Sequence, residues 1–170
     1  LDAFHVDVGG KICADLGCNV GGFTACLLAR GATKVYAVDT GYGILDWSLR
    51  NDARVAVMER TNALHVNLPE PVDIATVDLA WTRQEKSLPK ALELLKPGGV
   101  VVSLLKPNYE AERKELYRGV VKSECVETVK ARALENLSRQ GIDPDSVILS
   151  ALKGGSGGNA EFFLLVKKRK

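Results

Sequence analysis

Short runs of β-branched and apolar residues recur along the chain at "KICADLG" (Lys11 to Gly17), "KVYAVD" (Lys34 to Asp39), "RVAVMER" (Arg54 to Arg60), "DIATVDL" (Asp73 to Leu79) and "VVVSLLK" (Val100 to Lys106). Helix-period segments separate several of them, an alternation that argues for parallel strands joined by crossover helices. Several of the runs are apolar along most of their length, as a strand covered on both faces should be. "GFTACLLAR" supplies the first helix, closed by Gly31, and "LPKALELLKPGG" supplies another, stopped by Pro97 and its glycines. A third runs from Ser123 to Gly141, with a serine cap and glutamates at its start and basic residues near its end; Val126, Val129, Ala133 and Leu137 make its buried stripe. "DSVILSAL" and "AEFFLLVKK" read as two final strands joined by a flexible "KGGSGGN". The fold class expected is α/β.

At 170 residues the chain is the size of one domain. Apolar residues at 46% and charged ones at 26% fit an ordinary globular protein, and no apolar run approaches the ~18 residues of a membrane span. The first residues lack the basic start and apolar core of a signal peptide, so cytoplasmic residence is the expectation, with no membrane partner. The four cysteines form no CxxC pair and the two histidines, His5 and His65, lie away from them, so neither metal nor disulfide is expected. A formal charge of +2 does not by itself demand a nucleic acid, and the basic "KKRK" end reads as solvated. The chain opens at Leu1 inside an apolar-periodic stretch, from which a missing upstream portion is expected.

The chemistry concentrates in "ADLGCNVGGFTACLLARG", Ala14 to Gly31. In open α/β sheets ligands bind outside the carboxyl ends of the strands, commonly at the loop after the first, where Gly17, Gly21 and Gly22 stand. Glycines let backbone approach a ligand, and Asp39 ends the second strand where a carboxylate can accept both hydroxyls of a ribose. The dinucleotide pattern G-x-G-x-x-G fails here, because the second glycine position after Gly17 is Asn19, so nothing asks for a pyrophosphate. Asp15 adds a carboxylate expected at the loop mouth, which would repel phosphates and suit a cationic ligand. S-adenosylmethionine, with a ribose, a sulfonium and no phosphate, meets those demands.

The stretch "DLGCNVGGFTACLLARGATKVYAVDTGYGILDWSLRNDARVAVMERTNA", with "LLKPNYEA" and "GGNAEFFLLVKK" downstream, resembles the FtsJ-like methyltransferases, in particular the TlyA (hemolysin A) group of ribosomal RNA 2'-O-methyltransferases. The resemblance implies a Rossmann-like, mostly parallel seven-stranded sheet with its last strand antiparallel, spanning residues 1–170 as one methyltransferase domain. It implies S-adenosyl-L-methionine as methyl donor and ribosomal RNA, not DNA, as partner. Cofactor contacts are expected at Asp15, Gly17, Asn19, Gly21, Gly22, Phe23, Asp39, Thr40, Asn62 and Asp78. Of the family's Lys-Asp-Lys-Glu tetrad, the aspartate matches Asp78, the second lysine Lys106 and the glutamate Glu161. The first lysine has no counterpart: Lys11 opens the first strand, roughly 13 Å from Asp15 along four extended residues. The family's small N-terminal S4-type RNA-binding domain also has no counterpart, and the usual Val-Ser-Phe after the aspartate is Leu79-Ala80-Trp81.

Methyl transfer to a hydroxyl needs the two reacting atoms held at ~3 to 3.5 Å and a proton removed. Lys106 is assigned as the base. A lysine takes a proton only when neutral, and neighbouring carboxylates favour the ammonium, so without the first lysine weak or absent catalysis by this chain is expected. Asn62 is expected to meet the adenine or support its loop, Trp81 to pack or to stack on a base, and Tyr42 and Trp47 to wall the cofactor pocket. Three rival readings remain: an amino-group methyltransferase built on "DLAW", which lacks the prolines of that motif; a non-catalytic S-adenosylmethionine- or RNA-binding module; and a nicotinamide-dependent dehydrogenase, which Asn19 disfavours.

Overall fold

The computed structural model describes residues 1–152, 154 and 158–169. In chain order the elements are β1 (Ile12–Leu16), α1 (Gly22–Ala29), β2 (Lys34–Val38), α2 (Trp47–Arg50), β3 (Val55–Met58), β4 (Val72–Val77), α3 (Gln84–Leu94), β5 (Leu95–Leu105), α4 (Pro107–Glu110), β6 (Leu116–Tyr117), β7 (Val120–Val121), α5 (Val126–Ser138), β8 (Ser146–Leu149) and β9 (Phe162–Lys167). Seven strands form one sheet in the order β3-β2-β1-β4-β5-β9-β8. The first five pair in parallel, and β9 runs antiparallel to both of its neighbours. This is the sheet the resemblance implied.

Burial explains why these strands read as continuous apolar runs. Helices cover both faces, and β1, β2 and β4 are buried along nearly their whole length. One face packs Leu16, Val38, Leu88, Leu137 and Leu164 into the larger core, while Cys13, Leu27, Leu28 and Val35 fill the other beneath α1. The register sets Leu16 level with both Val38 and Val77, so the carboxyl ends of β1, β2 and β4 finish together. Because β2 lies on one side of β1 and β4 on the other, the loops leaving these strands diverge and open a crevice at that switch point.

Several boundaries differ from expectation. The helix expected from Leu88 begins at Gln84 and ends at Leu94, ahead of Pro97. Leu95 is already extended, and β5 reaches back through Pro97 and its glycines, with the ladder to β4 shifting between Val72 and Ile74. Proline lacks the N–H a regular ladder needs, which accounts for an irregular start rather than an excluded one. Ser123 does not cap α5: residues Ser123–Cys125 form a 3-10 turn, the Ser123 hydroxyl donates to Glu124 at 3.2 Å, and the helix proper starts at Val126. Of the expected stripe, Val129, Ala133 and Leu137 are buried and Val126 packs at its edge. Gly31 closes α1 as expected, in the left-handed region at φ 87°. The β6–β7 hairpin was not foreseen; its turn places Arg118 and Gly119 both at positive φ, the twist that two-residue hairpins favour. Lys153 and residues 155–157 of the expected flexible joint lie outside the described residues. Nor is the basic end merely solvated, since Lys168 donates to the Leu95 carbonyl at 2.7 Å, just past the end of α3.

Candidate active site

A pocket of about 440 Å³ opens in that crevice, lined by the turn after β1 (Gly17, Asn19), the end of β2 (Asp39, Thr40), Asn62, the segment Asp78 to Thr82 after β4, and Lys106 after β5. Gly17 sits at φ 87°, and a side chain there would overlap the Asp78 carbonyl oxygen and come within 3.0 Å of Leu79. Its glycine is what lets the first turn lie against the backbone that carries Asp78. Gly21 serves packing instead: at φ 103°, a Cβ would run into Leu45 and Leu49. Nothing lies within 4 Å of a Cβ placed on Gly22. Neither Gly21 nor Gly22 lines the pocket.

Asp39 accepts the Asn19 N–H at 2.9 Å on one carboxylate oxygen and the Gly41 N–H at 2.8 Å on the other. Each oxygen keeps a further lone pair, and the side chain is only partly buried, so it can still accept from a pair of vicinal hydroxyls. Asn62 accepts the Leu64 N–H at 2.9 Å while lining the pocket, so it supports the loop.

Asp15 corrects the sequence reading. It is fully buried and absent from the pocket wall rather than at the loop mouth. One carboxylate oxygen accepts both the backbone N–H and the hydroxyl of Thr24, at 2.9 and 2.7 Å, and the other accepts the Thr76 hydroxyl at 3.0 Å. The first turn of α1 has no local side-chain cap, so this carboxylate from β1 does the capping. Burial pushes its pKa up to about 6, with the Thr24 and Thr76 hydrogen bonds opposing. The negative wall of the pocket is therefore made by Asp39 and Asp78, without Asp15. Phe23 also stands off the pocket and packs edge to face on Phe163, ring centroids 6.3 Å apart.

Asp78 and Lys106 form an ion pair at the pocket rim, with side-chain exposures of 30% and 19%. The Asp78 Oδ1 atom is buried and has the Lys106 ammonium as its close partner, in contact as an ion pair rather than through a hydrogen bond of regular geometry. Glu161 stands just before β9 and does not line this pocket, yet it senses both charges. Burial raises its pKa, Lys106 lowers it and Asp78 raises it. Lys11 lies instead in a separate cleft at the opposite end of the sheet, with His5, Asp73 and Lys96.

Two aromatic expectations change. Tyr42 and Trp47 do not wall the pocket; they are 70% and 76% exposed, with the Arg60 guanidinium 4.1 Å from the Tyr42 ring, and Ile44 supplies the wall. Trp81 does not pack into the core either. It is 87% exposed on the pocket edge, in the left-handed region at φ 57°, with its ring 5.1 Å from that of Tyr109. A bulky residue there is uncommon, and such backbone strain gathers at functional sites. Sequence reading did not single out Ile44, Tyr109, or the buried Gln84 and Glu110 behind Asp78. Among the described residues, no three His, Cys, Asp or Glu side chains group as a metal site.

The geometry has relatives. A hemolysin candidate from Lactococcus lactis superposes with a TM-score of 0.91 at 32% identity, covering 99% of this chain and 83% of its own. The N-methyltransferase NodS from Bradyrhizobium japonicum, solved with S-adenosylhomocysteine, shares the fold at a TM-score of 0.65 and 14% identity, with 95% of this chain and 80% of that one covered. The 16S/23S rRNA (cytidine-2'-O)-methyltransferase TlyA of Mycobacterium tuberculosis is 38% identical over 98% of this chain, which spans 64% of that relative's length. The FtsJ-like methyltransferase family matches residues 1–169. With this sheet order, and with an acidic residue closing β2 and an aspartate and a lysine meeting past β4 and β5, the chain belongs to the FtsJ-like methyltransferase family, in its TlyA (hemolysin A) group.

Proposed function

We propose that residues 1–170 act as one methyltransferase domain that uses S-adenosylmethionine to methylate a ribose 2'-hydroxyl of ribosomal RNA. The observation that carries the reading is the Asp78–Lys106 pair at the mouth of a pocket whose other wall holds Asp39. The pocket suits the cofactor: two carboxylates favour a sulfonium and an amino group, Asp39 retains acceptors for ribose hydroxyls, and Asn19 departs from the glycine pattern of pyrophosphate sites. Held by Asp39 and the turn at Gly17 and Asn19, the cofactor would supply an electrophilic methyl group with a neutral thioether as leaving group.

The chain's own residues do the rest. Lys106 projects at the rim, where it can hydrogen-bond the incoming hydroxyl and, when neutral, accept its proton. Asp78 holds that lysine, and Glu161 adds a second carboxylate within electrostatic reach. Trp81, exposed beside Tyr109, offers a face on which a nucleobase can stack. TlyA of Mycobacterium tuberculosis, by its name, methylates a cytidine 2'-oxygen of rRNA, which supports the same acceptor here.

The test is transfer of tritiated methyl from S-adenosylmethionine to ribosomal subunits, by this chain alone and by this chain extended to its relatives' length, followed by nuclease digestion. Label on ribose 2'-oxygen is expected, strongest from the longer chain. Label on a base amino group would contradict the ribose acceptor and the role of Lys106, and equal transfer by both forms would contradict a contribution from the added residues.

A further inference from the structure

Asp78 and Lys106 stand on separate loops, past the ends of strands whose pairing finishes with Val77 opposite Ser103. Asp78 is still tied to β1, its N–H donating to the Leu16 carbonyl at 2.9 Å, and the chain from Leu79 to Arg83 then leaves the sheet until a buried polar network joins it again. The Gln84 side chain reaches β5 twice: its Nε2 donates to the Leu104 carbonyl at 3.0 Å, and its Oε1 accepts the Ser103 hydroxyl at 2.6 Å. The Gln84 backbone N–H, first in α3, donates to Glu110 Oε1 at 2.7 Å.

Glu110 lies in the turn that follows Lys106 and is 6% exposed; Gln84 is 4% exposed. Arg83, the residue before α3, makes no side-chain cap, so Glu110 performs from a distance the capping that a local serine or aspartate gives elsewhere. Burial raises the Glu110 pKa, while the Gln84 N–H and the nearby Arg83 and Arg132 charges oppose the rise. A carboxylate kept at that cost of burial needs its partners.

We propose that Glu110 is a positioning residue, which through Gln84 fixes the 78–83 segment against the turn after β5 and so sets Asp78 and Trp81 relative to Lys106. The inference rests on the function proposed above. Glu110 does not itself line the pocket, so it reaches the cofactor only through the 78–82 segment, while Asn19, Asp39 and Asn62 on the other wall lie outside its network.

The test compares Glu110→Ala, Glu110→Gln and Gln84→Leu with the wild-type chain. As a control, Glu70→Gln breaks an ion pair with Lys34 on the far side of the fold. Removing the acceptor lets the reacting groups drift, so methyl transfer at saturating cofactor is expected to fall about tenfold or more in Glu110→Ala. Affinity for S-adenosylhomocysteine by calorimetry should fall by less than the rate does, because the Asn19, Asp39 and Asn62 wall keeps its place, and Glu110→Gln, whose carbonyl still accepts the Gln84 N–H, should recover most of the rate. A second measurement does not need turnover: amide exchange over residues 78–83 should quicken in Glu110→Ala and Gln84→Leu and stay unchanged in Glu70→Gln. Undiminished transfer in Glu110→Ala, or unchanged exchange over that segment, overturns the inference. The transfer assays use the chain extended to its relatives' length; absence of ribose methylation by that unsubstituted form overturns the functional reading instead, and exchange still decides whether the clamp exists.

Discussion

The substitution Gly17→Ala probes the joint between the two halves of the pocket with a single methyl group. Its effect can be worked from two parts. Gly17 lies at φ 87°, where an L-residue costs about 1–2 kcal/mol. The added Cβ would also overlap the Asp78 carbonyl oxygen and sit 2.9 Å from its carbon, both backbone atoms that no rotamer change can move aside. Forcing them apart resembles overpacking a core, about 1–3 kcal/mol. The sum, about 2–5 kcal/mol, is a large share of the 5–15 kcal/mol typical of a domain and lowers the melting temperature by roughly 5–20 °C at this chain length. Differential scanning calorimetry, run beside Gly22→Ala, reads it directly. Gly22 has no neighbour within 4 Å of a Cβ and begins a helix, so that variant should match wild type or gain slightly in stability. If Gly17→Ala melts with Gly22→Ala, the close approach to Asp78 is not the reason for glycine there, and the account of the joint fails.

Asp39→Ala removes the acceptor of two backbone N–H groups and the proposed ribose contact, so S-adenosylhomocysteine affinity should fall about tenfold to a hundredfold by calorimetry, at the 1.5–3 kcal/mol of a hydrogen bond to a charged group. Asp15 has a folded-state pKa of about 6 against an ordinary 3.8, so the native state holds this proton more tightly than the unfolded chain. Its contribution to stability is thus fully present below the ordinary value and is lost as pH rises through about 6, a swing of about 3 kcal/mol. Asp15→Asn should therefore gain on wild type as pH rises across that window in paired thermal melts, and a constant difference would refute the assignment. Trp81→Ala should leave the melting temperature unchanged, because the ring is 87% exposed, while reducing transfer to rRNA at saturating cofactor about tenfold or more, as stacking at 1–3 kcal/mol per base implies.

The sheet was legible because its signal is redundant. Strands covered on both faces leave long apolar runs, and β1 to β5 each fall within or around the run that announced them. Asp39 and Asp78 were legible for a related reason: the end of a parallel strand fixes where the next side chains emerge. Asp15 misled because sequence gives position along a strand but not the face a side chain turns to, and Thr24 and Thr76, partners nine and sixty-one residues away, decide its burial. Trp81 and Tyr109 are brought together from different loops, and Glu110 reaches Gln84 across 26 positions. No local pattern carries such pairings. Gly21 looked like a ligand glycine for want of knowing that Leu45 and Leu49 crowd it.

The placement of β9 between β5 and β8 bears on how the domain comes into being. During synthesis the parallel strands emerge first and can pair as they appear, but β8 has no neighbour in the sheet until β9 has slid between it and β5. Glu161 immediately precedes that strand, so this second carboxylate near Lys106 arrives only with the closing piece of the sheet. A nascent chain halted before β9 would carry the crevice between β1, β2 and β4 without Glu161 beside it.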